Sequence, residues 1–338
     1  MTGPPTAEQA CREALRGALV RGGLTGEHVV VACSGGPDSL ALALAAAFVV
    51  PRLGGSVGAL VVDHRLQLGS GQVARRAAET CADLGLDPVR VDAVHVASGT
   101  SGPEDAARTA RFASLRRTAS EQGAAAVLLG HTRDDQAEQV LLGLIRGSGS
   151  RSLSGMPRSR PLGERSADGG TDVCLLRPLL GVPRSVTAQA CLEARLPTWQ
   201  DPHNDDPQFT RVAVRRLLGD LELGLGRDLR EPLARTADLL RVDSEALDEI
   251  SDAAYHELGP LPWDVDAVVN HPTAVRTRLW RRVALESGVP GSDLAAVHLR
   301  AVDALVVDWH GQGPVDLPGH RRVHREADRI WLRDRGRG

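Results

Sequence analysis

The sequence of 338 residues predicts an α/β fold, a parallel sheet with helices on both faces, followed by a smaller, mostly helical domain. Three observations carry that expectation. Short apolar, β-branched runs alternate with Ala- and Arg-rich helical stretches over the first two-thirds of the chain, and such alternation is satisfied by a parallel sheet covered on both faces. One apolar run, "HVVVAC", breaks on two glycines and restarts at once as a helix. From about residue 222 the texture changes to long helical patterns, which divides the chain into domains 1–221 and 222–338.

Taken in order, residues 6–20 read as a short amphipathic helix. "HVVVAC" precedes a helix at 38–49, and "VGALVVDH" precedes one at 70–84. "DPVRVDAV" and "AAAVLLGH" are strands followed by helices at 103–121 and 133–145. Residues 147–172, rich in Gly, Ser and Arg, read either as a solvated linker or as a mobile loop over a substrate. A strand, a helix and a further short strand are expected within "CLLRPLLGVPRSVTAQACLEARLPTWQDP". Helical patterns then occupy 228–257 and 273–308, and "GPVDLPGHRRVHREADRIWLRD" alternates like a hairpin.

Composition excludes several classes. The chain is 42% apolar, enough for a core in each domain, and its net charge of -3 means that a nucleic acid would have to be met by local patches. All 40 basic residues are arginine. Without lysine there is no Walker phosphate loop, no protein-kinase site and no Schiff-base chemistry. Five scattered cysteines without a CxxC pair argue against structural zinc, iron–sulfur and thioredoxin-like sites. "MTGPPTAEQACREALRG" has neither the basic leader nor the apolar core of a secretory signal, and "LALALAAAFVV" is too short to span a bilayer. A cytoplasmic protein with no membrane partner is expected.

Ligands of parallel sheets sit beyond the carboxyl ends of the strands, where Ser34, Asp63, His64 and His131 fall. In "SGGPDS", the turn Gly35–Gly36 lets successive backbone N–H groups face one concavity, and the following helix adds its positive N-terminus. Pro37 suits the first helical turn, and Ser34 and Ser39 supply hydroxyls. Asp38 is the odd member. A carboxylate beside phosphate is repulsive unless a cation intervenes, which suggests Mg²⁺ carried on a polyphosphate and no separate metal site. Further along, His131 and Asp135 are i, i+4, and Asp135 and Glu138 are i, i+3, so the three can face one pocket. Arg108 and Arg111 share one helix face and Arg211 and Arg215 another, while Arg146 and Arg151 flank the start of the glycine-rich segment. Guanidinium groups bind phosphate bidentately and stack on bases, so these six are candidates for contact with RNA.

"SGGPDS" resembles the SGGxDS loop of the PP-loop ATP pyrophosphatases, enzymes of adenine nucleotide alpha hydrolase-like fold that cleave ATP between the α and β phosphates. Within that superfamily, "LLGHTRDDQAEQVLLGLIRGSG", "VVDHRLQLGS", "GPEDAARTARFASL" and "RPLL" followed by "WQDPHNDDPQFTRVAVRRLL" resemble segments of the tRNA(Ile)-lysidine synthases. The likeness runs in the family's order over about residues 28–220. It implies that ATP with Mg²⁺ adenylates the C2 oxygen of the wobble cytidine in the isoleucine tRNA with a CAU anticodon, and that free L-lysine then displaces AMP to give lysidine. The lysine ε-amine has an intrinsic pKa of about 10.4, so deprotonating it at neutral pH costs roughly 4–5 kcal/mol. A carboxylate that holds the ammonium and accepts its proton lowers that cost.

On this resemblance Asp38, Asp135, Glu138 and His131 are the catalytic candidates. Ser34, Gly35, Gly36, Pro37, Asp38 and Ser39 would bind ATP, and His64 either contacts the nucleotide or simply ends its strand. Two positions depart from the family pattern: Gln139 stands where threonine is usual, and Phe112 where tyrosine is common. Two other functions remain compatible with the same segments, another PP-loop enzyme that modifies tRNA and a nucleotide-binding scaffold with impaired catalysis. The sequence is equally compatible with a monomer and a homodimer.

Overall fold

A computed structural model describes residues 6–63, 65, 69–94, 103–163, 173–200 and 210–336. The chain divides into two compact units, 1–239 and 240–338. In the first, a six-stranded sheet has the order β3-β2-β1-β4-β6-β5. Its strands are β1 (His28–Cys33), β2 (Ser56–Asp63), β3 (Val89–Ala93), β4 (Ala126–Leu129), β5 (Ser159–Pro161) and β6 (Cys174–Leu176). All neighbours run parallel except β5, which pairs antiparallel with β6.

β4 is apolar throughout and β1 is apolar after His28, because both faces are covered. On one face Val29 and Val31 of β1 pack with Leu15 and Leu19 of α1 (Ala7–Arg21) and Leu40 and Leu42 of α2 (Pro37–Arg52). Ala77 and Cys81 of α3 (Ser70–Asp83) and Ala190 of α7 (Arg184–Glu193) join the same cluster. On the other face Val30 meets Leu60, Val127, Leu175 and Leu115, the last from α4 (Pro103–Glu121). Period-2 alternation thus splits β1 between two cores. Burying each such valine or leucine contributes about 1.5–3 kcal/mol.

The chain moves outward from β1 through β2 to β3 and returns to place β4 on the other side of β1. That reversal is a topological switch point, and the ends of β1 and β4 open onto one crevice. The helix after β4, α5 (Arg133–Ile145), begins with Thr132 as its N-cap, whose backbone N and hydroxyl both donate to the Asp135 carboxylate.

The glycine-rich segment is more ordered in its described part than a linker or mobile loop requires. A single helical turn, α6 (Ser150–Leu153), precedes β5. Gln136 accepts from Met156 N at 2.7 Å and donates to Met156 O at 3.2 Å, and Arg177 donates to Pro157 O at 2.8 Å. Residues 164–172 of the expected loop lie outside the described residues, as does His64. The short strand expected after α7 is not formed in 194–200, where Trp199 N instead donates to Gly35 O at 2.9 Å. The first unit ends with α8 (Thr210–Leu225) and the beginning of α9 (Arg230–Leu258).

The second unit combines the rest of α9 with α10 (Val265–Val269), α11 (Thr273–Glu286), α12 (Ala296–Val307) and a four-stranded antiparallel sheet of order β7-β10-β9-β8. Its strands are β7 (Trp263–Asp264), β8 (Val315–Leu317), β9 (Arg321–Glu326) and β10 (Arg329–Asp334). The helical pattern expected over 273–308 is broken, because Gly288 takes φ +93 and Pro290 follows it. The tail is a hairpin, as expected, extended by a strand on each side. Trp263 and Trp280 pack in its core with their rings tilted by 39°, and Arg276 pairs with the buried Asp303.

Candidate active site

The crevice is floored by the loop after β1. Gly35 has φ +81, a left-handed conformation that favours glycine, and a Cβ there would lie 3.2 Å from that of Ala77. Gly36 is the N-cap of α2 with no side-chain cap, and Pro37 opens the helix. The buried Ser39 hydroxyl ties the turn together: it accepts from Ser34 N at 3.1 Å, lies 3.2 Å from Ser34 Oγ and donates to Gly36 O at 3.0 Å. The six residues from Ser34 to Ser39 therefore form one unit at a helix N-terminus, a geometry that suits an anion.

Asp38 projects from the first turn of α2 toward residues of α5 and α7. One guanidinium, that of Arg184, spans three carboxylates. Its Nε lies 3.3 Å from Asp38 Oδ2, one terminal nitrogen 2.6 Å from Asp135 Oδ1, and the other 3.2 Å from Glu138 Oε1. The Arg184 backbone N also donates to Asp134 Oδ2 at 2.8 Å. Thr187 donates to Asp38 Oδ1, and Asp135 Oδ2 accepts from Thr132 N at 2.7 Å and from its hydroxyl at 2.9 Å. Glu138, only 3% exposed, also accepts from Arg215 Nε at 2.7 Å. Asp134 pairs with Arg230 at 3.0 Å. Four carboxylates thus share three arginines, and Arg230 is further drawn to Glu222.

The proton affinities follow from this arrangement. Burial raises the Asp38 pKa, and Thr187 and Arg184 offset it only in part. Burial also opposes the charge of Asp135, but the Arg184 guanidinium and the bonds from Thr132 outweigh it and hold that carboxyl below the usual range. For Arg184 the cost of burial is exceeded by the attraction of Asp135, Glu138, Asp38 and Asp134, so the guanidinium stays charged.

His131, at the end of β4, is lowered to about 4 by burial and by the charges of Arg177, Arg111 and Arg211, against the opposing pull of Asp135. It is neutral at physiological pH, and its Nδ1 is buried without a hydrogen-bond partner. Arg111, mostly buried, is repelled by Arg108 and Arg211, and its Nε is also unpartnered. Phe112 lies within 5.0–5.6 Å of the guanidinium carbons of Arg108, Arg111 and Arg160. The crevice has an acidic side around Arg184 and a basic side around His131.

The structure brings together the loop residues Ser34 to Ser39 with Asp38, Asp135, Glu138 and His131, and it sets Arg111 and Arg211 beside His131. Arg215 faces Glu138. Arg146 and Arg151 are exposed beyond the far end of α5; Arg146 is its C-cap, about 16 Å along the helix axis from Asp135 at 1.5 Å per residue. Sequence reasoning missed Arg184, Thr187 and Arg177. Arg184 did leave a signal, since a cation in the first turn of a helix opposes the helix dipole and implies an acidic partner elsewhere. Among the described residues no group of three or more His, Cys, Asp or Glu side chains could hold a metal ion. A single carboxylate beside a phosphate cradle does fit magnesium delivered on a nucleotide.

The parallel sheet, its switch point and the glycine turn define a PP-loop protein. A PP-loop domain model matches residues 8–222, and a model of the TilS substrate binding domain matches residues 264–331. A tRNA(Ile)-lysidine synthase of Thermobifida fusca is 49% identical over 98% of this chain and 98% of its own. Its counterpart in Streptomyces coelicolor is 47% identical over 91% of this chain and 86% of its own. A U34-tRNA thiolase from Methanococcus maripaludis shares the fold, with TM-score 0.55 and 19% identity over 70% of this chain and 80% of that one. The chain belongs to the tRNA(Ile)-lysidine synthase family, whose PP-loop domain uses ATP. No helix among the described residues is long and apolar enough to cross a membrane.

Proposed function

We propose that this chain joins free L-lysine to C2 of the wobble cytidine in an isoleucine tRNA with a CAU anticodon, using ATP and releasing pyrophosphate and then AMP. The observation that carries the reading is the convergence of Asp38, Asp135 and Glu138 on one guanidinium beside the Gly35–Gly36 turn.

The backbone amides of Ser34 to Ser39 and the α2 N-terminus receive the phosphates of ATP, with the Ser34 and Ser39 hydroxyls holding the turn in shape. Asp38 is the residue that would hold magnesium carried on ATP, and the ion would supply neutralisation of phosphate charge there. Asp135 and Glu138 take the lysine ammonium and receive its proton before the amine attacks; the lowered pKa of Asp135 keeps it ionised and able to hold the ammonium, while making it the weaker base. His131, neutral, offers a hydrogen bond to the cytidine or its adenylate. Arg111 and Arg211, which have no acid partner among the described residues, receive phosphate or base, and Arg108 supports them beside Phe112. Arg215 orients Glu138. Arg146 and Arg151 extend the basic surface for RNA, and the second unit, 240–338, provides further tRNA contacts.

The test is incubation with ATP, radiolabelled lysine and unmodified isoleucine tRNA bearing CAU, followed by nucleoside analysis. Labelled lysidine is expected. Pyrophosphate release without label in the nucleoside would refute the choice of lysine, and no tRNA-dependent pyrophosphate release would refute the reaction class.

A further inference from the structure

Arg184 occupies the position that the amine acids would need for a substrate. An ammonium group brings three donors and needs acceptors. Asp135 has Oδ2 filled by two bonds from Thr132 and Oδ1 by Arg184. Glu138 has Oε1 filled by Arg184 and Arg215, and Oε2 lies 3.5 Å from Arg215. Access runs the same way, for Glu138 is 3% exposed and Asp135 15%, whereas the Arg184 side chain is 24% exposed. Glu138 Oε1 already accepts two bonds, and although Asp135 Oδ1 accepts only one, the guanidinium bridges the two carboxylates where an ammonium shared by both would sit.

We propose that Arg184 is a positioning residue that acts as a resident cation: it fills the gap between Asp135 and Glu138 in the empty site and is displaced by the incoming lysine ammonium. This rests on the lysine-ligating reading above and adds to it a competitor built into the chain. In the empty enzyme Arg184 keeps buried acids paired, since an unpaired buried charge is strongly destabilising. During binding it opposes the substrate, because each charge-assisted bond it makes must be given up. Asp38, its third partner, lets the guanidinium retain an acidic contact as the other two are released.

The test compares the full-length wild type with Arg184→Gln and Arg184→Lys. Radiolabelled lysine binding is measured by equilibrium dialysis, and the lysine KM and kcat by lysidine formation. Glutamine removes the charge, and lysine keeps it on a compact point that cannot reach three carboxylates at once. The expected result is lysine binding and KM tighter by about tenfold or more in Arg184→Gln, with Arg184→Lys in between. A residue that only clamps the acids gives the opposite, a weaker KM and a lower kcat in both variants, and that result or an unchanged KM overturns the inference. Should the glutamine variant fail to fold, the lysine variant decides alone. Lysidine formation by wild type with unmoved lysine affinity in the variants overturns this inference and spares the functional reading. Lysine bound by neither wild type nor variants overturns both.

Discussion

Gly130 is the point at which the two halves of the site touch, and Gly130→Ala tests whether their spacing matters. Gly130 follows β4 and precedes His131, and a Cβ built on it lies 2.9 Å from Asp38 O, 3.0 Å from Asp38 C and 3.0 Å from Ser39 Cα. All three are backbone atoms of the first turn of α2, which Ser39 fixes to Ser34 and Gly36, so no flexible side chain can move aside. Restoring an ordinary contact of 3.4 Å requires the loop to retreat by about 0.5 Å. Overpacking of this kind costs about 1–3 kcal/mol, and a clash with pinned backbone belongs at the upper end. The lost flexibility of the unfolded chain returns about 0.4–1 kcal/mol, so a net loss of roughly 2–2.5 kcal/mol is expected in urea unfolding. The retreat carries Asp38 with it. Since a misplacement of about 1 Å can cost a hundredfold in rate, half of that predicts roughly tenfold slower tRNA-dependent pyrophosphate release. Gly219→Ala, in α8 with nothing within 4 Å of the added Cβ, is the control and should stabilise by about 0.5–1 kcal/mol without slowing release. Wild-type stability and turnover in Gly130→Ala would refute the argument.

Asp38→Asn should lower pyrophosphate release by at least about a hundredfold while tRNA still binds, because the amide cannot neutralise a cation; near-wild-type turnover removes Asp38 from the reaction. Arg211→Ala should weaken tRNA binding and reduce the slope of log affinity against log salt by about 1, and unchanged affinity at several salt concentrations excludes that contact. His131 titrates near 4 in the folded chain and near 6.5 when unfolded, so the unfolded state binds the extra proton between those values and stability falls as pH drops through that window. His131→Gln should flatten this fall, by roughly 3 kcal/mol at most, in urea unfolding compared at about pH 7.5 and pH 4.5. An identical acid loss in wild type and variant would show that His131 is not the group responsible.

Local signals carried most of the first unit. β1 could be read because an apolar run buried on both faces has no other home, and the Gly35–Gly36 turn because the change from period 2 to a helix falls on it. The i, i+3 spacing of Asp135 and Glu138 placed both on one side of α5 without any tertiary information, whereas His131 precedes the N-cap Thr132, so its i, i+4 spacing to Asp135 is not a helical one. Arg184 was not legible in the same way: its partners lie 146, 49 and 46 residues away, and the cost of a cation at a helix N-terminus points to some acid but not to which one. The break between α11 and α12 hid behind apolar spacing that continues across Gly288 and Pro290. β7 is two residues long and pairs with β10 far along the chain, so no local period announces it. The structured part of 147–163 depends on Gln136 and Arg177, polar residues whose targets are backbone atoms of the segment itself.

The all-arginine composition acquires a chemical sense beside this site. On the proposed reaction an activated carbon waits for attack by an amine, and the cations nearest to it must not themselves be amines. A lysine in place of Arg184 or Arg215 would bring a second ε-amine close to Asp135 and Glu138, the groups that would accept its proton. Arginine keeps the charge without a usable nucleophile, because its guanidinium stays protonated at any pH the protein meets. Its planar fork also does what a point charge cannot, holding Asp38, Asp135 and Glu138 with three different nitrogens. The same property that makes arginine a safe resident makes it a strong competitor, and the lysine affinity of the site is then set by the difference between two cations bidding for the same carboxylates.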